Sequence, residues 1–252
     1  MNRRFLQLLC GCSVLSLAHA APPLEVVKVG VFAMTPFVIA GKDVPHGVLI
    51  DFFDHEIAPR MGVRFAWQPP MTVAGLESSL ASGRVMFTPI LGKTPARVSA
   101  RIQFVGKVDI SLDPCLAVLP DSPLTRVVSP ADLANLTIGW VQSGALPPFM
   151  QDKRIKFELV DRIDWASANL DKLRLGQIDA AYFSNPYTPH FYSEQSGMAI
   201  RLIGLPTRGL KLYGAFAPAA PRSLTERYER AAEEAFVNDR FSAYVKKAVL
   251  RK

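Results

Sequence analysis

The chain has 252 residues, of which 29 are Lys or Arg and 22 are Asp or Glu, giving a formal net charge of +7. That length can bury a sizeable core without covalent staples. The basic residues are interspersed with acidic ones, which argues against the clustered cationic face of a nucleic-acid-binding protein and leaves only weak evidence for anionic ligands or a nearby membrane surface.

The N-terminus reads as a secretory signal. Arg3 and Arg4 precede the apolar run Phe5 to Leu17, and Ala18-His19-Ala20 places small residues at both cleavage-determining positions, so residues 1–20 are expected to be removed. No later stretch reaches the roughly 20 apolar residues of a membrane span without a charge, Pro or Gly. The expected location is therefore the periplasm. Leu9-Cys10-Gly11-Cys12 loosely resembles a lipid-attachment box, but the apolar region runs past it to the better cleavage site, so anchoring at Cys12 is not expected. Cleavage before Ala21 removes Cys10 and Cys12 and leaves Cys115, which excludes an intramolecular disulfide.

In the remaining chain, Val26 to Phe32 alternates and is rich in β-branched residues, which predicts a first strand, closed by a turn at Ala33-Met34-Thr35-Pro36-Phe37. Gly47 to Gly62 has helical apolar spacing and a Gly stop. Val63 to Trp67 is the next strand and Ala74 to Ser82 the next helix. Gly83-Arg84 then leads into the apolar run Val85 to Leu91. This alternation is the signature of a doubly wound, mainly parallel α/β sheet, which binds ligands at the carboxyl ends of its strands.

Residues 102–120 are less regular, with extended pieces at Val108 to Leu112 and Cys115 to Leu119, and read as a crossing between lobes. A second unit begins at Ser129-Pro130, with Ser as N-cap. It continues through a strand at Leu136 to Val141, a turn at Gln142-Ser143-Gly144-Ala145, and a helix opened by Pro147-Pro148. A strand at Ile155 to Leu159, a helix at Trp165 to Leu175, and a turn and strand from Gly176 to Phe183 follow. Pro186 and Pro189 suggest an ordinary surface loop. Leu210 to Pro218 is the second crossing candidate, before helices at Leu224 to Phe236 and from Phe241. The expected organisation is a first lobe of residues 21–110, a second of 111–213, and a return of 214–252 to the first. Two crossings make a flytrap-like hinge.

The segment most suggestive of chemistry is Gly92-Lys93-Thr94-Pro95-Ala96-Arg97, at the end of a buried strand. It presents a Gly, a hydroxyl and a guanidinium, whose planar fork suits a carboxylate. Phe37 reaches the same edge from another strand.

Taken together, Pro36-Phe37, Gly47 with Asp51, the helix-Gly-strand junction at Gly83, Gly92 to Arg97 followed by Phe104, Asp132-Leu133 with Gln142-Ser143-Gly144, and Gly176-Gln177-Ile178-Asp179-Ala180 resemble the extracellular solute-binding proteins of family 3, the periplasmic receptors for polar amino acids and related solutes. Each motif is weak; their order is specific and covers nearly the whole chain after the signal. The resemblance implies a two-lobe periplasmic-binding-protein fold of type II that captures a small carboxylate-bearing ligand for the permease of an ABC-type importer, as a monomer and not as an enzyme. It implies that Arg97 grips the carboxylate and that Phe37 helps sandwich the ligand. The candidate ligand-binding set is Met34, Phe37, Gly92, Thr94, Arg97, Ser143, Gly144, Tyr182 and Ser184.

Three positions depart from the family pattern. The interval from Arg97 to Phe104 is one residue longer than the family pattern has, which makes Arg101 a second candidate anchor. Ser184 stands where an acidic residue usually meets the ligand's ammonium, and a hydroxyl cannot offset a buried charge. Ala145 and Leu146 replace small hydroxyl residues. A standard α-amino acid is therefore not expected, and an accessory or sensory binding role, or a secreted cyclohexadienyl-dehydratase-like enzyme, are alternatives. His46, His55 and His190 lack metal-ligand spacing, and no cofactor is expected.

Overall fold

A computed structural model describes residues 23–108 and 113–249. The expected signal segment with Cys12, residues 109–112 of the expected first crossing, and Arg251 and Lys252 at the C-terminus lie outside the described residues. No described helix is long and apolar enough to cross a membrane.

The first lobe opens with β1 (Glu25–Val29), followed by α1 (Val48–Phe52), a π-helical segment (Phe53–Ile57), α2 (Ala58–Met61), β2 (Val63–Trp67), α3 (Val73–Ala81), β3 (Phe87–Gly92), α4 (Pro95–Ser99) and β4 (Gln103–Val108). The helix expected over Gly47 to Gly62 is present but widened in its middle. Pro59 has no N–H for the ladder and its ring clashes with the carbonyl four residues back, and a π turn just before it is one way to relieve both. Gly62 ends α2 at φ 65°, a left-handed conformation that favours glycine.

The second lobe contains β5 (Cys115–Val118), a 3-10 turn (Pro130–Leu133), β6 (Thr137–Val141), a second 3-10 turn (Pro148–Gln151), β7 (Lys156–Val160), α5 (Trp165–Arg174), β8 (Ala180–Phe183), α6 (Tyr187–Ser196) and β9 (Arg201–Gly204). Then β10 (Leu212–Phe216), α7 (Arg222–Ala235) and α8 (Arg240–Val249) follow. The helix expected after Pro147 is only the short 3-10 turn. The loop expected around Pro186 and Pro189 is instead α6. Both prolines fall at its start, where backbone N–H groups have no intrahelical acceptor, and Asn185 Oδ1 takes one of the orphan donors, Thr188 N, at 3.0 Å.

The strands form two sheets, ordered β2-β1-β3-β10-β4 and β7-β6-β8-β5-β9. Both are mixed rather than mainly parallel. In the first, β1 runs parallel to β2 and β3, whereas β10 is antiparallel to β3 and β4. In the second, β6 is parallel to β7 and β8, and β5 is antiparallel to β8 and β9. The antiparallel members are the strands that the crossings deliver, β5 on entry and β10 on return. Most of Leu210 to Pro218 is therefore a strand of the first sheet, and the second connection between sheets is residues 205–211.

Each sheet has its own core. The first lobe packs Phe52, Phe53, Phe65, Phe87, Phe216 and Tyr228 between its sheet and α1, α2 and α7. The second packs Leu116, Ile138, Leu170, Leu173 and Phe183. Asp179 fastens the mouth of β8 to β6, its Oδ2 accepting Thr137 N at 2.7 Å. Phe32 touches both cores, and Val73 of the first lobe is buried in the second lobe's cluster.

Candidate functional site

The strand β3 is buried along its whole length, and its end fixes the position of Arg97. Thr94 caps α4, its Oγ1 accepting Arg97 N at 3.3 Å, with Pro95 in the first turn. This turns the Arg97 side chain back beneath the strand end, where it is only 3% exposed. Its Nη1 donates to Gly92 O at 2.5 Å, its Nε to Glu77 Oε1 at 2.6 Å, and its Nη2 to Ser143 O at 2.9 Å. Glu77 comes from α3 and Ser143 from the opposite lobe. Ser143 adopts φ 60°, an uncommon conformation for a residue with a side chain, in the turn that presents this carbonyl. Three of the five guanidinium N–H groups are engaged, and two remain for a ligand.

Around Arg97 lies a cleft with apolar walls. Phe32, Met34, Val73, Ile90, Leu91, Leu210 and Leu212 form one side, and Trp140, Val141, Ala145 and Trp165 the other; Gly92, Gly144 and Ser184 complete it. The lobes approach closely enough to leave about 60 Å³ for the centres of water molecules, room for a few waters. They also bond directly. Trp165 Nε1 donates to Ala33 O at 2.9 Å and Thr188 Oγ1 to Thr35 O at 2.6 Å, while Phe37 and Tyr187 meet edge-to-face at 5.9 Å between centroids.

No protein-family model and no curated protein matches the chain. Solved structures do. An ancestral arginine-binding protein bound to arginine is 19% identical over 89% of this chain and 98% of its own, with a TM-score of 0.70. The substrate-binding protein of an amino acid ABC transporter is 23% identical over 89% of this chain and 99% of its own, with a TM-score of 0.68. The VFT2 domain of BvgS from Bordetella pertussis is 20% identical over 88% and 93%, with a TM-score of 0.71. This chain has the two-lobe periplasmic-binding-protein fold. That is the architecture implied by its resemblance to the family 3 solute-binding proteins.

Within that fold the expected site residues separate into three groups. Met34, Gly92, Arg97, Gly144 and Ser184 line the cleft. Thr94 and Ser143 act on Arg97 through the helix cap and a carbonyl. Phe37 and Tyr182 are not among the residues lining the cleft. Phe37 is 1% exposed with its ring stacked on Phe241, and Tyr182 is buried behind Trp140 at 4.5 Å, its phenol pKa raised by burial. Arg101 is exposed, at φ 59° just past α4, and likewise does not line the cleft.

Besides Phe32, the aromatic walls are Trp140 and Trp165, which sequence reasoning passed over. Their rings meet at 5.3 Å, nearly perpendicular, and the Trp140 indole occupies the space a side chain at Gly144 would need, 2.5 Å from a Cβ built there. A signal was present. Trp140 falls at the carboxyl end of a predicted strand and Trp165 opens a predicted helix, both at the edge where such sheets bind ligands. Glu77 had no comparable signal, being one polar residue on an amphipathic helix.

Proposed function

We propose that this chain is a periplasmic solute-binding protein whose lobes close on a small organic molecule and present it, as a monomer, to the permease of an ABC-type importer. The carrying observation is the buried Arg97 guanidinium, reached from both lobes at the carboxyl ends of the strands. The ligand would offer an acceptor to its two remaining N–H groups, the role that a carboxylate has in the sequence expectation, and an apolar body to Trp140, Trp165, Met34 and Leu91. A buried ammonium would lack a partner, because Ser184 supplies only a hydroxyl. The transport role is supported by likeness to a protein described as the substrate-binding protein of an amino acid ABC transporter.

The enzyme alternative has less support. Proton transfer needs an acid or base at the reacting atoms, and among the described residues lining the cleft Arg97 alone is titratable. An accessory binding role without transport draws on the direct bonds between the lobes, which a receptor could use as its signalling contacts.

Titration calorimetry of the chain lacking residues 1–20, against a panel of small carboxylates, amides, amines and amino acids, tests the proposal. Binding of at least one compound, abolished by Arg97→Ala, is expected; undiminished affinity in that variant would refute the role of Arg97.

A further inference from the structure

The charge of the cleft is already balanced from within the chain. Arg97 is the one charged residue lining it among the described residues, and its Nε lies 2.6 Å from Glu77 Oε1. The two are unequally placed. Arg97 is 3% exposed, while the Glu77 side chain keeps 29% of its surface, so the guanidinium is the more deeply buried partner. The remaining two contacts of Arg97 are neutral carbonyls, Gly92 O and Ser143 O.

From this pairing we infer that Glu77 is a specificity-determining residue, which makes the site select uncharged hydrogen-bond acceptors, such as amides and ketones, over carboxylates. The inference rests on the solute-binding reading above and narrows its ligand class. A carboxylate entering the cleft would bring a second negative charge to a guanidinium whose charge is already matched. It would be desolvated against apolar walls and would face Glu77 across a single guanidinium, and juxtaposed like charges disfavour binding strongly. A neutral acceptor incurs neither cost, yet uses the same two free N–H groups. Partial exposure of Glu77 screens the repulsion, so the discrimination should be moderate.

Matched acid and amide pairs isolate this effect, since each pair differs little except in charge. The probes are phenylacetate with phenylacetamide, isovalerate with isovaleramide, and indole-3-acetate with indole-3-acetamide, titrated into the chain lacking residues 1–20 and into its Glu77→Gln variant. The wild type should bind the amide of a pair at least as tightly as the acid. Glu77→Gln frees the positive charge and should move the acid-to-amide affinity ratio toward the acid by about tenfold or more. Glu77→Ser, read in the same way, covers the case in which Glu77→Gln fails to fold. An unchanged ratio in the variant that folds overturns the inference, including the case where both affinities fall together because Glu77 only steadies Arg97. A wild-type preference for the acid also overturns it. If neither protein binds any pair while the wider panel above yields a ligand, this inference falls and the solute-binding reading stands; if that panel yields none, both fall.

Discussion

Closure of the cleft depends on a glycine at the end of β3. A Cβ built on Gly92 would lie 2.9 Å from the Ala145 Cβ of the opposite lobe, with its other neighbours, Arg97 Nη1 and Leu210 Cδ1, at ordinary distances of 3.6 and 3.7 Å. Carbon atoms pack at about 3.5–4.0 Å, so Gly92→Ala asks the lobes to part by roughly 0.6–1.1 Å. The Arg97 Nη2 to Ser143 O bond, now 2.9 Å, would stretch by a similar amount and be lost. Overpacking of this kind costs about 1–3 kcal/mol. Here the cost falls on the closed arrangement alone, which predicts a shift of about 5- to 150-fold toward open lobes. The first lobe itself should not suffer, because Gly92 is outside the left-handed region and alanine is tolerated in a strand at least as well as glycine.

Spin labels introduced by Glu233→Cys and Leu175→Cys, exposed positions on α7 and just after α5, would report the interlobe distance by pulsed electron resonance. Gly92→Ala should lengthen or broaden that distance, and adding Ala145→Gly should restore it, with a coupling of about 1–3 kcal/mol between the two sites. A distance distribution identical to wild type in Gly92→Ala would refute the view that this contact limits closure.

Two further predictions concern the cores. The Tyr228 hydroxyl is fully buried with no hydrogen-bond partner and packs over Gly214, whose substituent would meet it at 2.5 Å; Tyr228→Phe should therefore leave stability unchanged or raise it by about 1 kcal/mol, whereas Gly214→Ala should lower it by about 1–3 kcal/mol, both read from denaturant midpoints, and a marked loss in Tyr228→Phe would show an unrecognised partner. Burial, with a smaller contribution from Asp113, pushes the Cys115 thiol up to about 12, so iodoacetamide at pH 8 should modify the chain lacking residues 1–20 only after unfolding. Because the folded thiol holds its proton more tightly than the unfolded one, its stabilising contribution is complete below the ordinary value of 9.0 and is lost at about 1.4 kcal/mol per pH unit above it; rapid native labelling at pH 8 would contradict both statements.

The parts of the fold that were legible in the sequence are those set by local periodicity and punctuation. Val63–Trp67 is both the predicted and the observed strand, because alternation and the preceding Gly62 stop confine it at both ends. The mixed character of the sheets was not legible. Strand direction depends on where a crossing re-enters, and β10 reads the same whether it runs parallel or antiparallel. Prolines misled at α6, where their position within the first turn, and not their presence, decides whether a helix forms. At the site, Arg97 could be located because strand end, cap and side chain lie within six residues. Its counter-ion Glu77 lies 20 positions away on another element, and only packing joins them. Phe37 was drawn toward the cleft by its place after β1, but the aromatic surroundings of Phe241 and Tyr187 hold it in a different groove.

The bonds between the lobes bear on how a ligand could act here. Trp165 Nε1 to Ala33 O, Thr188 Oγ1 to Thr35 O and Arg97 Nη2 to Ser143 O each join one lobe to the other without a ligand atom between them. At about 1 kcal/mol apiece, three such bonds bias closure by an amount comparable to a typical coupling free energy between sites. A ligand shifts the equilibrium only by its differential affinity for the two states, so every bond the chain supplies for itself reduces the motion left for the ligand to cause. Thr188→Val removes one of these donors at a residue that does not line the cleft, whereas Trp165→Phe would alter a cleft wall as well. Should Thr188→Val open the lobes while leaving the acid-to-amide ratio untouched, closure and selectivity would be separable properties, with Thr188 acting on the first and Glu77 on the second.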